Sequence, residues 1–285
     1  MRHVYVSLLL ALAWATPFSC TRTAAPGQKA AAEPSHEIVL QLDGGFQLST
    51  DTKTTEVSSL PTSLYWGAST GSAGSETQKW AAASGSVTGG AIHTGKYQTL
   101  SPTSYNYYVA NQTFSIASAA TTLTVADNSK DIIAGRTGGS SSLTPSVTLE
   151  HIFARTGTLT MSTQSGYTIS GISWTIVSKG SVSGTAGTYN LTTGSWTAAS
   201  APLSSTAVTT SSDLYLIPGT YTVTCQYTLS KGDYSDTFSR SADVTLVKGK
   251  INSISGTATG GAASEIVLTV SLNDWGDESI NASFV

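Results

Sequence analysis

The sequence predicts an all-β protein, and three observations support this fold class. Short runs of alternating apolar and polar residues recur along the chain, and Gly, Ser, Asn and Pro separate them. No stretch in the first half has a convincing 3.6-residue period. Charged residues make up 11% of the chain, against roughly 25% in ordinary soluble domains. Ser, Thr, Gly and Ala fill the difference, as in many extracellular β-proteins.

The N-terminus has the features of a bacterial export signal. A basic start precedes an apolar run from Val4 to Trp14, which is too short for a permanent membrane-spanning helix. We therefore predict a signal peptide over residues 1–19. Cys20 follows the small residue Ser19, as in a lipobox, so we expect acylation of Cys20 by chains such as palmitate, which would hold the protein in a membrane leaflet. Ordinary signal cleavage, with Cys20 unmodified, is the alternative.

Residues 20–35 are mostly Ala, Pro, Gly and polar residues and predict a lipidated tether. The first strand follows from His36, because Ile38, Leu40 and Leu42 share one parity. A polar stretch after it contains Lys53, the only Lys or Arg between residues 29 and 79. A strand flanked by polar segments can leave its sheet and expose a groove that another chain can fill. Lys53 is thus the candidate cleavage site of a trypsin-like protease, with an ordinary loop lysine as the alternative.

Residues 131–157 predict the joint between two similar halves. The Gly- and Ser-rich segment 135–145 is typical of a flexible connector. Val147, Leu149, His151 and Phe153 then alternate, which predicts a strand that starts a second unit. We therefore predict an N-terminal β-sandwich over residues 36–144 and a C-terminal β-sandwich over residues 145–285.

The second half contains the clearest hairpin, which runs from Tyr221 to Leu229 and returns after the turn 231–233. Near the end of the chain, Ile266, Leu268, Val270 and Leu272 alternate as in a strand. Residues 280–285 are a candidate donor segment that could extend beyond the domain.

Composition and motifs exclude several classes of function. The formal net charge is −3 with only 14 Lys and Arg residues, so no basic field exists to attract nucleic acid. The sequence has no zinc-protease, nucleophile-elbow or phosphate-loop motif, which argues against an enzyme and against a metal or other cofactor. We expect His151 to be a hydrogen-bonded strand residue and Cys225 a buried apolar one. Acidic residues 274, 277 and 278 are interpreted as solvated.

The chain resembles the fimbrillin-like proteins of Bacteroidales, the subunits and accessory proteins of type V pili. The resemblance covers roughly residues 36–280 and rests on five features: Cys20, Val147-Thr-Leu-Glu-His151-Ile-Phe-Ala-Arg155, Ile217-Pro218-Gly219-Thr220-Tyr221-Thr-Val223 before the long hairpin, Leu246-Val-Lys-Gly249-Lys250-Ile-Asn252, and Val270-Ser-Leu-Asn-Asp274-Trp275.

This resemblance implies two tandem transthyretin-like β-sandwich domains and export as a lipoprotein to the outer membrane and cell surface. It also implies polymerisation with other pilus subunits by strand exchange, after an Arg- or Lys-specific protease removes the first strand, here within residues 36–42. Stalk, tip and anchor roles all remain open within this class.

A monomeric surface lipoprotein that binds carbohydrate or a host ligand is the alternative from another class. Sugar sites favour exposed aromatic side chains on a β face. The candidate residues for such a site are Trp66, Trp80, Trp196, Tyr105, Tyr107 and Tyr108.

Overall fold

The computed structural model describes residues 35–43, 60–99, 103–204, 206–208 and 214–258, together with the backbone of 266–274 and 282–283 and the side chain of Val270. Regular secondary structure within these ranges consists of β-strands, with no helix, which confirms the all-β prediction. Accordingly, no described segment forms a helix long and apolar enough to cross a membrane.

Nine strands among the described residues precede residue 152. They are β1 His36–Asp43, β2 Ser63–Thr70, β3 Thr77–Thr88, β4 Ala91–Gln98, β5 Tyr105–Ala110, β6 Ser115–Ile116, β7 Thr121–Val125, β8 Ile133–Ser140 and β9 Ser146–His151.

Eleven strands follow among the described residues. They are β10 Ala154–Thr163, β11 Thr168–Ser178, β12 Ala186–Asn190, β13 Ser195–Ala201, β14 Thr206–Val208, β15 Tyr215–Leu216, β16 Gly219–Lys231, β17 Tyr234–Leu246, β18 Lys250–Ala258, β19 Ile266–Asp274 and β20 Ala282–Ser283.

Seven of the early strands close into a barrel in the order β1-β4-β3-β2-β5-β8-β9. The barrel closes because β1 pairs antiparallel with β4 and parallel with β9. Alternate residues of each strand point inward. The barrel core includes Ile38, Leu40, Leu64, Tyr107 and Leu149.

Three further sheets have the orders β15-β10-β18-β19-β20, β14-β11-β16-β17 and β13-β12-β7-β6. The last sheet joins strands from both predicted halves, since β7 pairs with β12. One apolar cluster is likewise shared, because Tyr108 and Leu123 pack in it with Phe153, Tyr189 and Ile217. A separate cluster around Trp174, Tyr221 and Cys225 is built from residues after position 153.

Two expectations about the joint between the halves are corrected by the strand pairing. The predicted connector 135–145 begins as strand, because residues 135–140 belong to β8 and pair with β5 and β9. A Cβ at Gly135 would lie 1.9 Å from the carbonyl oxygen of Thr148, so glycine is what allows β8 and β9 to approach closely. The strand predicted to start a second unit is β9, and it pairs with β8 and β1 in the barrel. The boundary between residues 144 and 145 stays a prediction.

The long hairpin is confirmed. Strands β16 and β17 pair without interruption from Gly219 opposite Leu246 to Lys231 opposite Tyr234. Gly232, in the two-residue turn, has a φ of 58°, a left-handed conformation that glycine adopts readily. The burial of Tyr221, Val223, Cys225, Tyr227 and Leu229 on one parity confirms the alternation predicted there.

Candidate functional site

The candidate site is the position of β1, because the sequence predicted the first strand as a removable one and the structure forms that strand over His36–Asp43. This strand lies between β4 and β9, and we call the space that it fills the β1 groove. Besides the ladder bonds to β4, the main-chain N–H groups of Val39 and Gln41 donate to the carbonyl oxygens of Leu143 and Pro145, each over 2.9 Å. The groove therefore offers hydrogen-bonding groups on both of its walls.

The inward face of β1 is apolar. Ile38 and Leu40 are fully buried, and Leu42 is 8% exposed. These three side chains pack in the barrel core, where Trp66 and Ile92 are also buried. The predicted apolar face of the first strand is thus confirmed, and the strand fills three successive positions of the core.

A bulge in β4 contacts the start of β1. Glu37 pairs with Tyr97 and Val39 pairs with His93, so the three residues 94–96 of β4 stand opposite Ile38 alone. The main-chain N–H of Gly95 donates to Glu37 Oε1 over 2.8 Å, and His93 Nδ1 lies 3.4 Å from Glu37 Oε2. The Gly95 N–H, and after it the His93 hydrogen bond, hold the pKa of the Glu37 carboxyl below its usual value.

The opposite end of β1 is held by a contact to β9, in which the Ser146 hydroxyl donates to Asp43 Oδ2. Polar contacts therefore lie at both ends of the strand and apolar contacts lie between them. Local sequence patterns indicated the apolar contacts only. The one sequence signal for the bulge is Gly95 inside a strand pattern, which is typical of such irregularities.

The two predicted site residues, Cys20 and Lys53, lie outside the described residues, so acylation and cleavage remain predictions. The same holds for residues 280–281 and 284–285 of the candidate donor segment. Residues 282 and 283 of that segment form β20, which pairs with β19. Of the acidic residues near the end of the chain, only Asp274 is described, as the last residue of β19.

The aromatic candidates for a sugar site do not form an exposed platform, which corrects that expectation. Trp66, Tyr105, Tyr107 and Tyr108 are buried, and Trp80 is partly buried against the barrel core. The planes of the two barrel tryptophan rings are inclined by 61°.

Trp196, the remaining candidate, is partly buried in the shared core, and its indole Nε1 donates to the carbonyl oxygen of Ile152 over 3.0 Å. These rings stabilise the interior, where aromatic side chains bury the most apolar area.

His151 is hydrogen-bonded as predicted. Its Nδ1 lies 2.7 Å from Asp131 Oδ2, and both residues are buried. Burial of Cys225 is also confirmed, and burial raises the pKa of its thiol to about 11. A thiol with this pKa is protonated at neutral pH and is a poor nucleophile.

Glu76 is a second polar feature that the sequence patterns did not indicate. This carboxylate is 2% exposed and accepts hydrogen bonds from the hydroxyls of Tyr108 and Thr121. Thr192 Oγ1 lies 3.4 Å from Glu76 Oε2 and accepts a bond from the Thr121 N–H. The cluster thus connects the barrel to the sheet that contains β7 and β12, a structural role that no local sequence pattern indicates.

A cavity of about 200 Å³ lies beside β8, β9 and the turn after β12. Lys248 Nζ donates to Glu150 Oε2 over 2.7 Å at this place, so the carboxylate on the cavity wall already has a partner. Across the described ranges, no three His, Cys, Asp or Glu side chains are grouped to hold a metal ion. Of these features, the β1 groove has the most complete set of contacts for binding a chain segment.

Comparison with known proteins identifies relatives at the level of family and fold. The fimbrillin-like family profile matches residues 52–275, which is more than half of the chain. A fimbrilin from Porphyromonas gingivalis W83 is 10% identical with a TM-score of 0.52, over 84% of this chain and 97% of that one. A candidate cell adhesion protein from Parabacteroides distasonis ATCC 8503 is 8% identical with a TM-score of 0.53, over 86% and 98% of the two chains.

The structural similarity at these identities concerns the fold alone. No curated protein matches the sequence significantly. The family assignment therefore rests on the profile match over residues 52–275, and by that match the chain belongs to the fimbrillin-like family.

Proposed function

We propose that the protein is a structural subunit of a bacterial surface pilus that assembles by protease-triggered exchange of β1. Membership of the fimbrillin-like family supports a role in pili or adhesion. The observation that carries the proposal is the position of β1, a strand near the start of the chain that pairs with β4 on one side and β9 on the other. No catalytic step is part of this role.

Removal of β1 would expose apolar core residues and leave backbone groups of the groove without hydrogen-bond partners. Each of the three buried side chains contributes about 1.5–3 kcal/mol through burial. Backbone N–H and C=O groups of β4 and β9 would lose their partners, and buried unpaired groups of this kind are costly. A strand from another subunit with the same alternation would bury the apolar residues again and restore the backbone hydrogen bonds. Apolar burial and backbone hydrogen bonding, which hold β1 in the groove, would therefore also drive binding of the incoming strand.

Export, anchoring and processing complete the proposal. Cys20 is the acylated residue that attaches the subunit to the outer membrane at the cell surface. Lys53 is the processing site for a trypsin-like protease, because cleavage there severs the covalent link between β1 and β2. The two domains 36–144 and 145–285 are transthyretin-like in this proposal, and stalk, tip and anchor subunits share these parts.

The experiment that tests assembly is limited cleavage of the purified protein with a trypsin-like protease. Intact mass identifies the new N-terminus, and native chromatography with electron microscopy follows particle size. We expect cleavage after Lys53 and growth into SDS-resistant ladders or filaments. Lys53→Gln should block both events, whereas Lys130→Gln, at an exposed loop residue, should leave both unchanged. A chain that is cut after Lys53, loses residues 36–43 and stays monomeric would refute strand exchange.

Anchoring is tested separately by metabolic labelling with an alkyne fatty acid in an outer-membrane-containing host. We expect Cys20→Ala to abolish labelling and membrane association, and Cys225→Ala, at the buried thiol, to change neither. Labelling that persists in Cys20→Ala would contradict the assignment of the lipidated residue.

A further inference from the structure

The bulge in β4 contacts β1 at one position of the β1 groove, next to Ile38. Its three residues 94–96 face Ile38, where a regular antiparallel ladder places one residue. Gly95 has a φ of 61°, a left-handed conformation that suits glycine. Because of this conformation, the Gly95 N–H points at the Glu37 carboxylate, with 2.8 Å between nitrogen and Oε1.

The residues beside Gly95 complete this arrangement. The Thr94 hydroxyl donates to the carbonyl oxygen of Ile38 over 2.6 Å, and it accepts the N–H of Lys96 over 3.1 Å. His93 contacts the second oxygen of Glu37. The Glu37 side chain is 27% exposed, so its carboxylate is partly open to solvent at the start of β1. We call the Gly95 N–H and the His93 ring the carboxylate subsite.

Apolar alternation alone leaves the register of an incoming strand undefined. A shift by one residue turns apolar side chains outward and is excluded. A shift by two residues keeps apolar side chains inward, so burial hardly distinguishes the two registers. A contact made at one position only can distinguish them, and the carboxylate subsite is such a contact.

A second segment of this chain has the sequence that fits the groove. Glu265-Ile-Val-Leu repeats Glu37-Ile-Val-Leu, and the next inward positions are Leu42 in the first copy and Val270 in the second. Ile266, Leu268, Val270 and Leu272 give four alternating apolar residues for three groove positions. Two registers would therefore bury three apolar residues each, and only one of them places Glu265 at the position of Glu37.

We propose that the carboxylate subsite sets the register of the exchanged strand, and that its ligand is residues 265–270 of a second copy of this chain, in which a glutamate directly precedes alternating apolar residues. Residues 266–270 pair with β18 in this structure, so donation requires that they leave that strand. The inference rests on the proposed strand exchange. It assigns Glu265 of the donor, and Gly95 and His93 of the acceptor, to partner selection.

The test uses the full chain with a site for an orthogonal protease placed within residues 44–59. After cleavage, fluorescent peptides compete with β1, and fluorescence anisotropy and native mass spectrometry report binding. The peptide of residues 36–43 is the positive control. We expect the peptide of residues 265–272 to bind, and its Glu265→Gln variant to bind about threefold more weakly, because the carboxylate contact is open to solvent and exposed charged contacts contribute little. Thr269→Gln, at the position of the exposed Gln41, should bind like the parent peptide.

Register is read from disulfide formation with Ala91→Cys, because Ala91 pairs with Gln41 of β1. The parent peptide should crosslink through Thr269→Cys, and a slip by two residues would instead favour Ser271→Cys. The Glu265→Gln variant should form both crosslinks. Adding Val267→Glu to that variant should move the crosslink to Ser271→Cys, since the new carboxylate then reaches the subsite in the slipped register.

The outcomes separate the two proposals. If the peptide of residues 36–43 does not return to the groove, strand exchange itself is refuted, and the register inference is overturned with it. If both parent peptides bind and Glu265→Gln changes neither affinity nor crosslink position, the carboxylate subsite is refuted while strand exchange stands.

Discussion

Replacement of Leu40 by Ala tests how firmly the apolar face of β1 is held in the barrel. Leu40 is fully buried in the barrel core, and the change removes three carbon atoms. At about 0.8 kcal/mol per methylene, the transfer contribution is about 2.4 kcal/mol. The cavity left behind raises the total, so we expect the free energy of unfolding to fall by about 2.5–5 kcal/mol. This loss is a large fraction of the roughly 5–15 kcal/mol that stabilises a typical domain.

Urea unfolding followed by tryptophan fluorescence is the assay, since Trp66 is buried in the same core. With a slope of about 3 kcal/mol per molar urea, a loss of 3 kcal/mol lowers the midpoint by about 1 M. The matched control is Gln41→Ala, because Gln41 is the exposed neighbour on the same strand, and its midpoint should change little. Equal shifts for the two variants would refute the assignment of inward and outward faces and the energetic basis proposed for strand exchange.

Two further predictions concern other parts of the fold. Gly135→Ala should lower the melting temperature strongly, because the added Cβ would lie 1.9 Å from the Thr148 carbonyl oxygen. Gly138→Ala, on the same strand, meets only side-chain atoms, the nearer at 3.5 Å, and should be tolerated. Similar melting temperatures for the two variants would contradict the close approach of β8 and β9. Cys225 should resist iodoacetamide at pH 8 in the folded protein and react after denaturation, since burial raises the pKa of its thiol to about 11. Rapid labelling of Cys225 in the native protein, mapped by mass spectrometry, would contradict this burial.

Local sequence patterns predicted the features that depend on a single strand. The parity of Ile38, Leu40 and Leu42 predicted which face of the first strand is buried, and the alternation around Cys225 predicted the burial of that thiol. Both predictions succeed because side chains of a strand alternate between its two faces whatever strand lies beside it. The hairpin of β16 and β17 was predictable for a related reason, since its turn lies between its two strands.

Glycine-rich sequence was misleading between residues 135 and 140. Composition alone predicts a flexible connector there, but a glycine also fits a strand where another backbone comes very close. The Thr148 carbonyl supplies that reason at Gly135. The aromatic residues were ambiguous in a similar way, because exposed sugar platforms and buried cores both favour Trp and Tyr. Only the packing of Trp66 and Tyr107 shows that these rings belong to the core.

Composition and local alternation were sufficient to establish the strand-rich character of this protein, the inward face of its first strand and the absence of recognisable catalytic motifs, because each of these depends on one segment at a time. Folding of the whole chain was needed to place β1 between β4 and β9, to join β7 to β12 in one sheet, and to bring the bulge at Gly95 against Glu37. Backbone hydrogen bonds are the same for every residue type except proline, so sequence carries little information about which distant strands pair. Those pairings emerge only when the whole chain packs its apolar faces together.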